Sequence, residues 1–221
     1  MVEAIKVPTK YGTMLMNIRP KFLQEHMDME FERGFLDYLE NEEYDIFVDV
    51  GSAWGYFSIP ASYRAKVVYA FEPSDERRLT LKRNITNLKI KNIHRYPSAI
   101  GTGKLDLYFG KGMAGPRTNI RSSNFNADWV TLDEVLSEAF SGEIVIKIDV
   151  EGNELDVVKS LSDFEEWSTH ITWLIERHYK EGILGYTEEE LFETMKPYVG
   201  EKVGQRKFTS HYIFRRIDES I

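Results

Sequence analysis

The chain has 221 residues, 42% hydrophobic and 13% aromatic, enough for one domain around a single core. It contains no cysteine, which excludes disulfides, thiolate metal sites and cysteine nucleophiles. A net charge of −8 argues against broad nonspecific nucleic-acid binding, and no stretch approaches the roughly 20 apolar residues of a membrane span. With no apolar signal-peptide segment after Met1, the expected location is cytoplasmic, with no membrane partner.

Residues 4–17 alternate apolar and polar around Tyr11-Gly12, which predicts a small hairpin. Residues 21–40 carry apolar side chains at helical spacing, with Phe31, Phe35 and Leu39 on one face. Residues 1–43 are thus expected to be an N-terminal hairpin and helix, a candidate substrate cap, ahead of a main body over 44–221. The whole is expected to form a single compact domain. The body alternates strands near 45–50, 67–71, 93–97, 143–149 and 171–176 with helices near 54–64, 75–88, 131–139 and 152–161. Leu105–Phe109 predicts a short extra strand. Residues 110–128 read as a long glycine-bearing loop of the kind used for lids, with Arg117 and Arg121 as candidates for an anionic substrate group. A helix near 187–196 precedes two runs, Gly200–Lys207 and His211–Ile217, separated only by Phe208–Ser210. A turn that short permits only an antiparallel pair. The alternation before it implies a parallel sheet covered on both faces, with ligands beyond the carboxyl ends of its strands.

The segment from Val48 through Ser58 carries the most chemistry. A buried strand ends at Asp49-Val50, a turn follows at Gly51-Ser52-Ala53-Trp54-Gly55-Tyr56, and a helix comes next. Strand, glycine turn and helix make a nucleotide-cradling loop. The second strand ends in Glu72-Pro73, about 20 residues beyond the first glycine, where a carboxylate can take two ribose hydroxyls. The middle glycine of the dinucleotide fingerprint is missing, and Trp54 is bulky for a loop wrapping a pyrophosphate. A DxGxxxG loop with an acid after the next strand suits S-adenosylmethionine, which has a ribose but no phosphate. Its amino-acid tail can be held by Asp49 and backbone groups of the turn.

A second constellation lies at Ile144–Glu154. Here a buried strand runs into Asp149-Val150-Glu151-Gly152. Asp149 can bind the cofactor amino group, stabilise a sulfonium, take a proton from a substrate hydroxyl, or merely cap the next helix. Lys147, Asp149 and Glu151 share one face of an extended chain, as do Glu176 and His178 at the end of the next strand. His178 is the best general-base candidate, whereas His26, His94, His170 and His211 lack comparable context. Asp149, Glu151, Glu176 and His178 together could ligate a divalent ion, but no compact metal motif supports a metal site. From Arg77 to Arg95 a run of basic residues reads as a solvated helix face or as a patch for RNA or another anion.

DVGSAWGYFS, VYAFEPS, TLDEVL, IVIKIDVEGNELDVVKSL and WLIERH, over residues 45–178, resemble the FkbM family of S-adenosylmethionine-dependent methyltransferases. The resemblance implies an α/β fold with the Rossmann-like class I methyltransferase sheet, mostly parallel with an antiparallel C-terminal hairpin. It implies that Asp49, Gly51, Ser52, Gly55 and Tyr56 form the cofactor loop, that Glu72 and Pro73 hold the ribose, and that Ser98 and Ala99 flank the adenine. Asp149 would sit near the transferred methyl, and the strand-end position of Glu176 and His178 adds them to it as catalytic candidates. The implied reaction is O-methylation of a sugar or natural-product hydroxyl. The chain departs from the common family pattern at Ser52-Ala53-Trp54. RNA methylation, a non-catalytic cofactor- or partner-binding subunit, and nicotinamide oxidoreduction are the competing functions.

Overall fold

The computed structural model describes residues 4–16, 18, 23–24, 32–103, 109–110, 113–114, 128–136, 142–162, 170–178, 186–206 and 209–216. In chain order, the hairpin β1 (Ile5–Thr9) and β2 (Gly12–Met16) is followed by α1 (Arg33–Asn41), β3 (Ile46–Val50), α2 (Ser58–Ala61) and β4 (Val67–Phe71). Then come α3 (Asp75–Leu88), β5 (Ile93–Tyr96), and four two-residue strands, β6 (Ala99–Ile100), β7 (Phe109–Gly110), β8 (Met113–Ala114) and β9 (Trp129–Val130). The chain closes with α4 (Leu132–Leu136), β10 (Ile144–Ile148), α5 (Glu154–Val158), β11 (Ile171–His178), α6 (Glu188–Thr194), β12 (Tyr198–Arg206) and β13 (Thr209–Arg216).

Seven strands form the central sheet in the order β12-β13-β11-β10-β3-β4-β5. The five from β11 to β5 are mutually parallel, and β13 enters antiparallel between β11 and β12. The mostly parallel sheet with its antiparallel C-terminal hairpin is thus as expected. The strand order reverses between β3 and β10, the kind of switch point at which open α/β sheets bind their ligands.

β3 and β10 are buried on both faces, which is why they read as continuous apolar runs. One face packs Val48, Ile146 and Trp173 against Leu132, Val158 and Leu191 of α4, α5 and α6. The other packs Phe47, Val145, Leu174 and Ile213 against the hairpin, α1 and Ile59. The hairpin and α1 therefore lie in the core of that second face, with Phe35 and Leu39 fully buried. Phe31 and the other residues of the expected 21–40 helix between 25 and 31 lie outside the described residues.

Two expected boundaries shift for local reasons. The 54–64 helix contracts to Ser58–Ala61, because Ala53 and Gly55 both have positive φ and hold the preceding segment as a turn. Thr209 and Ser210, expected in the C-terminal turn, belong to β13 instead. The helix over 75–88 and the strand over 67–71 have their expected bounds. Residues 104–108 of the expected extra strand, and Arg117 and Arg121 of the long loop, lie outside the described residues. Among the described residues no helix is long and apolar enough to cross a membrane.

Asn84 of α3 joins three elements. Its Oδ1 accepts from the Leu15 N–H at 2.6 Å, and its Nδ2 donates to the carbonyls of Leu15 and Trp54 at 2.9 Å each. The side chain is fully buried, so its amide ties the hairpin to the glycine turn without help from water. Asn84→Ala is expected to lower unfolding free energy by about 2–4 kcal/mol, because it strands buried backbone groups as well as removing bonds. Urea denaturation checks this, and a loss within about 0.5 kcal/mol would contradict the lock.

Candidate active site

The glycine turn and the β10 tip meet at the switch point. Gly51 has φ +83, and a Cβ there would overlap the Asp149 carbonyl oxygen. Only glycine allows both the backbone shape and that approach. The Gly51 and Ser52 N–H groups donate to the Phe71 carbonyl at 2.9 and 3.0 Å, so the turn extends the β3–β4 pairing. The Asp149 N–H donates to the Val50 carbonyl at 3.1 Å and seals the other side.

Beneath this junction lies Lys147, 2% exposed. Parallel register sets it beside Asp49, itself 0% exposed. Its Nζ is 3.4 Å from Asp49 Oδ1, 3.3 Å from Asp149 Oδ2 and 3.3 Å from the Gly51 carbonyl. Burial pulls its pKa down, but Asp149, Asp49, Glu32 and Glu176 outweigh that and raise it above the ordinary lysine value. Asp49 Oδ2 accepts from the Ser58 hydroxyl, which fixes the start of α2. Asp49 therefore braces the turn from below. Lys147 and Asp149 do share a face as expected, and Glu151, whose left-handed φ of 59 ends the extended strand, still brings its carboxyl to the His178 Nε2 that Asp149 faces.

Glu72 closes the turn from the β4 side. Its Oε2 accepts from the Ala53 N–H at 3.0 Å and its Oε1 from the Ser74 N–H at 2.8 Å. Burial raises its pKa against the pull of Arg77 and those two N–H groups. Pro73 follows Glu72 in the chain and, like Ser98 after β5, is partly exposed, and Ala99 is buried in β6, where it pairs with Trp129. Tyr56 is buried beside Phe57, and the Ser52 Oγ is buried with no hydrogen-bond partner. A hydroxyl without a partner beside a backbone turn and a pinned carboxylate fits a ligand carrying both a polar tail and a ribose.

Across the junction, β11 ends in Glu176 and His178. His178 Nδ1 lies 2.9 Å from Glu154 Oε1, and the other Glu154 oxygen accepts from the Tyr186 hydroxyl and belongs to a fully buried side chain. That leaves His178 Nε2 facing Glu151 at 3.5 Å, Glu176 at 3.7 Å and Asp149 at 3.8 Å. Burial disfavours its charge, but Glu154 first and then Glu176 and Glu151 raise its pKa well above the ordinary histidine value. Burial also pushes Glu151 up, with Asp149 and Glu176 adding to the effect. Asp149 caps no helix, since α5 begins at Glu154, and its side chain remains partly exposed.

Sequence reasoning missed four members of this cluster: Glu32, Ser58, Glu154 and Tyr186. It also set aside His211, which register places directly beside Glu176 with Nε2 and Oε1 3.7 Å apart. Glu32, at the start of α1, is buried against the same group. Burial and the charges of Glu176 and Asp149 raise Glu32 well above its ordinary value. Burial also pushes Glu176 upward, but the neighbouring His211 imidazole, the charge of His178 and the facing Glu32 carboxyl bring it down to about 2. Only Glu154 had a visible signal, as the acid two residues beyond Gly152 in the β10 tip motif.

The basic run from Arg77 to Arg95 is partly committed. Arg77 reaches Glu72 at 3.8 Å, Arg78 donates to the Glu72 and Pro73 carbonyls, and Arg95 donates to the Arg78 carbonyl. Lys82, Arg83, Lys89 and Lys91 are exposed.

Removing the Lys147 charge leaves the fully buried Asp49 and the partly exposed Asp149 without the cation they share. Lys147→Met is expected to destabilise the protein by about 3–5 kcal/mol. Denaturant unfolding measures it, and a neutral or stabilising result would show that the two aspartates do not need the ammonium.

The sequence matches the family model described as the methyltransferase FkbM domain over residues 45–206. A search of curated proteins finds no significant sequence match. Among solved structures, the fold is similar to wild-type Trm5b from Pyrococcus abyssi at 13% identity and a TM-score of 0.52, covering 96% of this chain and 55% of that one. The chain thus spans about half the length of the Pyrococcus protein. It is also similar to M. jannaschii TYW2 in complex with AdoMet at 15% identity and a TM-score of 0.50, covering 98% and 88% of the two chains. A third similar structure is SMU.1697c from Streptococcus mutans in complex with SAH, at 11% identity and a TM-score of 0.51, covering 86% and 97%. At these identities the structures bear on the fold alone. The family match takes in the glycine turn, Glu72, the β10 tip and the β11 end, and the chain belongs to the FkbM methyltransferase family, whose cofactor is S-adenosylmethionine.

Proposed function

We propose that this protein is an O-methyltransferase acting on a hydroxyl of a sugar or another small molecule. The observation that supports this most is His178, whose Nδ1 is held by Glu154 while Nε2 faces the partly exposed Asp149. Its raised pKa keeps a proton on the ring in the free protein, and a cationic cofactor beside it would favour the neutral, proton-accepting form.

When bound, S-adenosylmethionine supplies a methyl group already activated on a sulfonium. Glu72 retains lone pairs for the ribose hydroxyls beyond those used by Ala53 and Ser74. Gly51, Ser52, Gly55 and Tyr56 border the amino-acid tail, and the Ser52 hydroxyl is the turn's polar group left to meet it. Asp49 serves the same turn from beneath, through Ser58 and Lys147. Pro73, Ser98 and Ala99 border the base.

Asp149 lies at the end of β10, where a carboxylate favours positive charge. His178 and Glu176 lie on the acceptor side. With the cofactor bound, His178 Nε2 would take the proton of the acceptor hydroxyl as its oxygen gains the methyl group and the methyl–sulfur bond breaks, the sulfur leaving as a neutral thioether. Positive charge brought beside the ring favours its neutral, proton-accepting form. Most of the rate gain comes from positioning, since the donor is intrinsically reactive.

Calorimetric titration with S-adenosylhomocysteine and with NAD tests the cofactor site. Only the former should bind, and Glu72→Gln should weaken it by about 100-fold or more, since an amide must then oppose one of two backbone N–H donors. Binding of NAD in preference would sink this assignment. Transfer of labelled methyl to sugars, small hydroxylic compounds and RNA then identifies the acceptor. His178→Asn should lower turnover by about 10²–10⁴-fold with cofactor affinity retained. Turnover confined to RNA, with steep salt dependence, would instead support docking on Lys82, Arg83, Lys89 and Lys91.

A further inference from the structure

We propose that Glu32, Glu176 and His211 hold a divalent transition-metal ion beneath the strand ends, pinning the start of α1 to β11 and β13. Nothing in the methyl-transfer reading calls for such an ion, and the inference stands without that reading. One ligand atom from each of the three residues lies within 4.8 Å of the others. The residues are 3%, 5% and 3% exposed, so water cannot satisfy them.

The decisive side chain is Glu32. Among the described residues neither of its buried carboxyl oxygens has a hydrogen-bond donor, and they lie against the Glu176 carboxylate. The nearby ammonium is committed elsewhere, since Lys147 sits between Asp49 and Asp149. A buried carboxylate facing another needs a cation or a shared proton between them.

The spacing favours the ion. His211 Nε2 and Glu176 Oε1 are 3.7 Å apart, too far for a direct hydrogen bond. Two donors each about 2.1 Å from one ion lie roughly 3.4 Å apart at a tetrahedral angle. Thr209 Oγ1, 3.5 Å from the same nitrogen, is a further oxygen in reach. The fold also holds the imidazole in place. Antiparallel register sets His211 beside Glu176, Phe35 packs on its ring at 5.3 Å, and a Cβ at Gly204 would come within 2.6 Å of its Nδ1.

Two carboxylates cancel the charge of a divalent ion, so the filled site is neutral as well as buried. One imidazole with two carboxylates suits the Mn²⁺ to Zn²⁺ range, and the imidazole disfavours Mg²⁺ and Ca²⁺. The ion would fix Glu32, and with it the entry of α1 onto the sheet. It would also fix the rotamer of Glu176 beside His178. The three residues come from separate parts of the chain and share no ligand spacing, so the site has no sequence motif.

The test uses the full chain, dialysed against chelator and then titrated with Zn²⁺, Mn²⁺ and Mg²⁺ by calorimetry and thermal melting. Zn²⁺ and Mn²⁺ should bind one per chain and raise the melting temperature, while Mg²⁺ does neither. Glu32→Gln and His211→Gln should each weaken Zn²⁺ binding by more than the ~10–100-fold typical of losing an outer-shell partner. His178→Asn should leave it unchanged. Should the two ligand variants fail to fold, ring-nitrogen NMR of the native protein decides. Zn²⁺ should then move the His211 Nε2 resonance strongly and that of His178 little. The proposal is overturned by a folded native chain that binds no Zn²⁺ or Mn²⁺, by a folded Glu32→Gln that binds equally, or by coordination at His178 instead. The first result would leave a proton shared by Glu32 and Glu176 as the balance of charge. Because S-adenosylhomocysteine binding is measured separately, failure here and failure of the methyl-transfer reading give different results.

Discussion

The ammonium of Lys147 is the interaction on which this site rests. It lies under the point where the strand order reverses, between Asp49 of β3 and Asp149 beyond β10, and within 3.3 Å of the Gly51 carbonyl. Two parallel strands end there with their acidic tips side by side. Repulsion would otherwise splay them, and the glycine turn could not close against the Asp149 backbone. Because the group is buried, screening by water and salt is weak, and the attraction holds the geometry tightly. Asp49 passes that order to α2 through Ser58, and Asn84 passes it to the hairpin through the Trp54 carbonyl.

The same face has a gradient of polarity. Along β3, β10 and β11, Phe47, Val145 and Leu174 occupy the middle of the sheet, and Asp49, Lys147 and Glu176 follow two residues later. Side-chain alternation carries one face from core to chemistry within a single repeat. The result is a strand-end cluster with more carboxylates than cations. Its charge is balanced by an uneven distribution of protons, with Glu32 and Glu151 held up and Glu176 held down. A site with that excess of negative charge is matched to cationic ligands. A sulfonium donor is one such ligand, and a metal ion behind it would be another.

Legibility in the sequence followed the range of the forces involved. The strands at 67–71 and the helix at 75–88 are local: one is a run of β-branched and aromatic residues, the other begins at Ser74-Asp75-Glu76. The glycine turn was legible because a tight turn needs glycine, and Glu72 because it is the acid that ends the second strand. The helix expected at 54–64 was too long, because apolar spacing gives no sign that Ala53 adopts a left-handed φ. His211 looked ordinary because its neighbour Glu176 is 35 residues away in sequence and is brought alongside only by antiparallel register.

By itself, the amino-acid sequence determined the class of sheet, the antiparallel hairpin, the glycine turn and the family, all of which depend on periodicity or on residues close together in the chain. Tertiary structure decided which charges share one space. Glu32 joins from the start of α1, Glu154 and Tyr186 from beyond the strand tips, and His211 from the last strand. Their protonation and ligand-binding capacity depend on burial and on distances of three to four ångströms between segments remote in sequence. Such distances exist only once the sheet has assembled and α1 has closed its second face, because burial and register are properties of the packed chain.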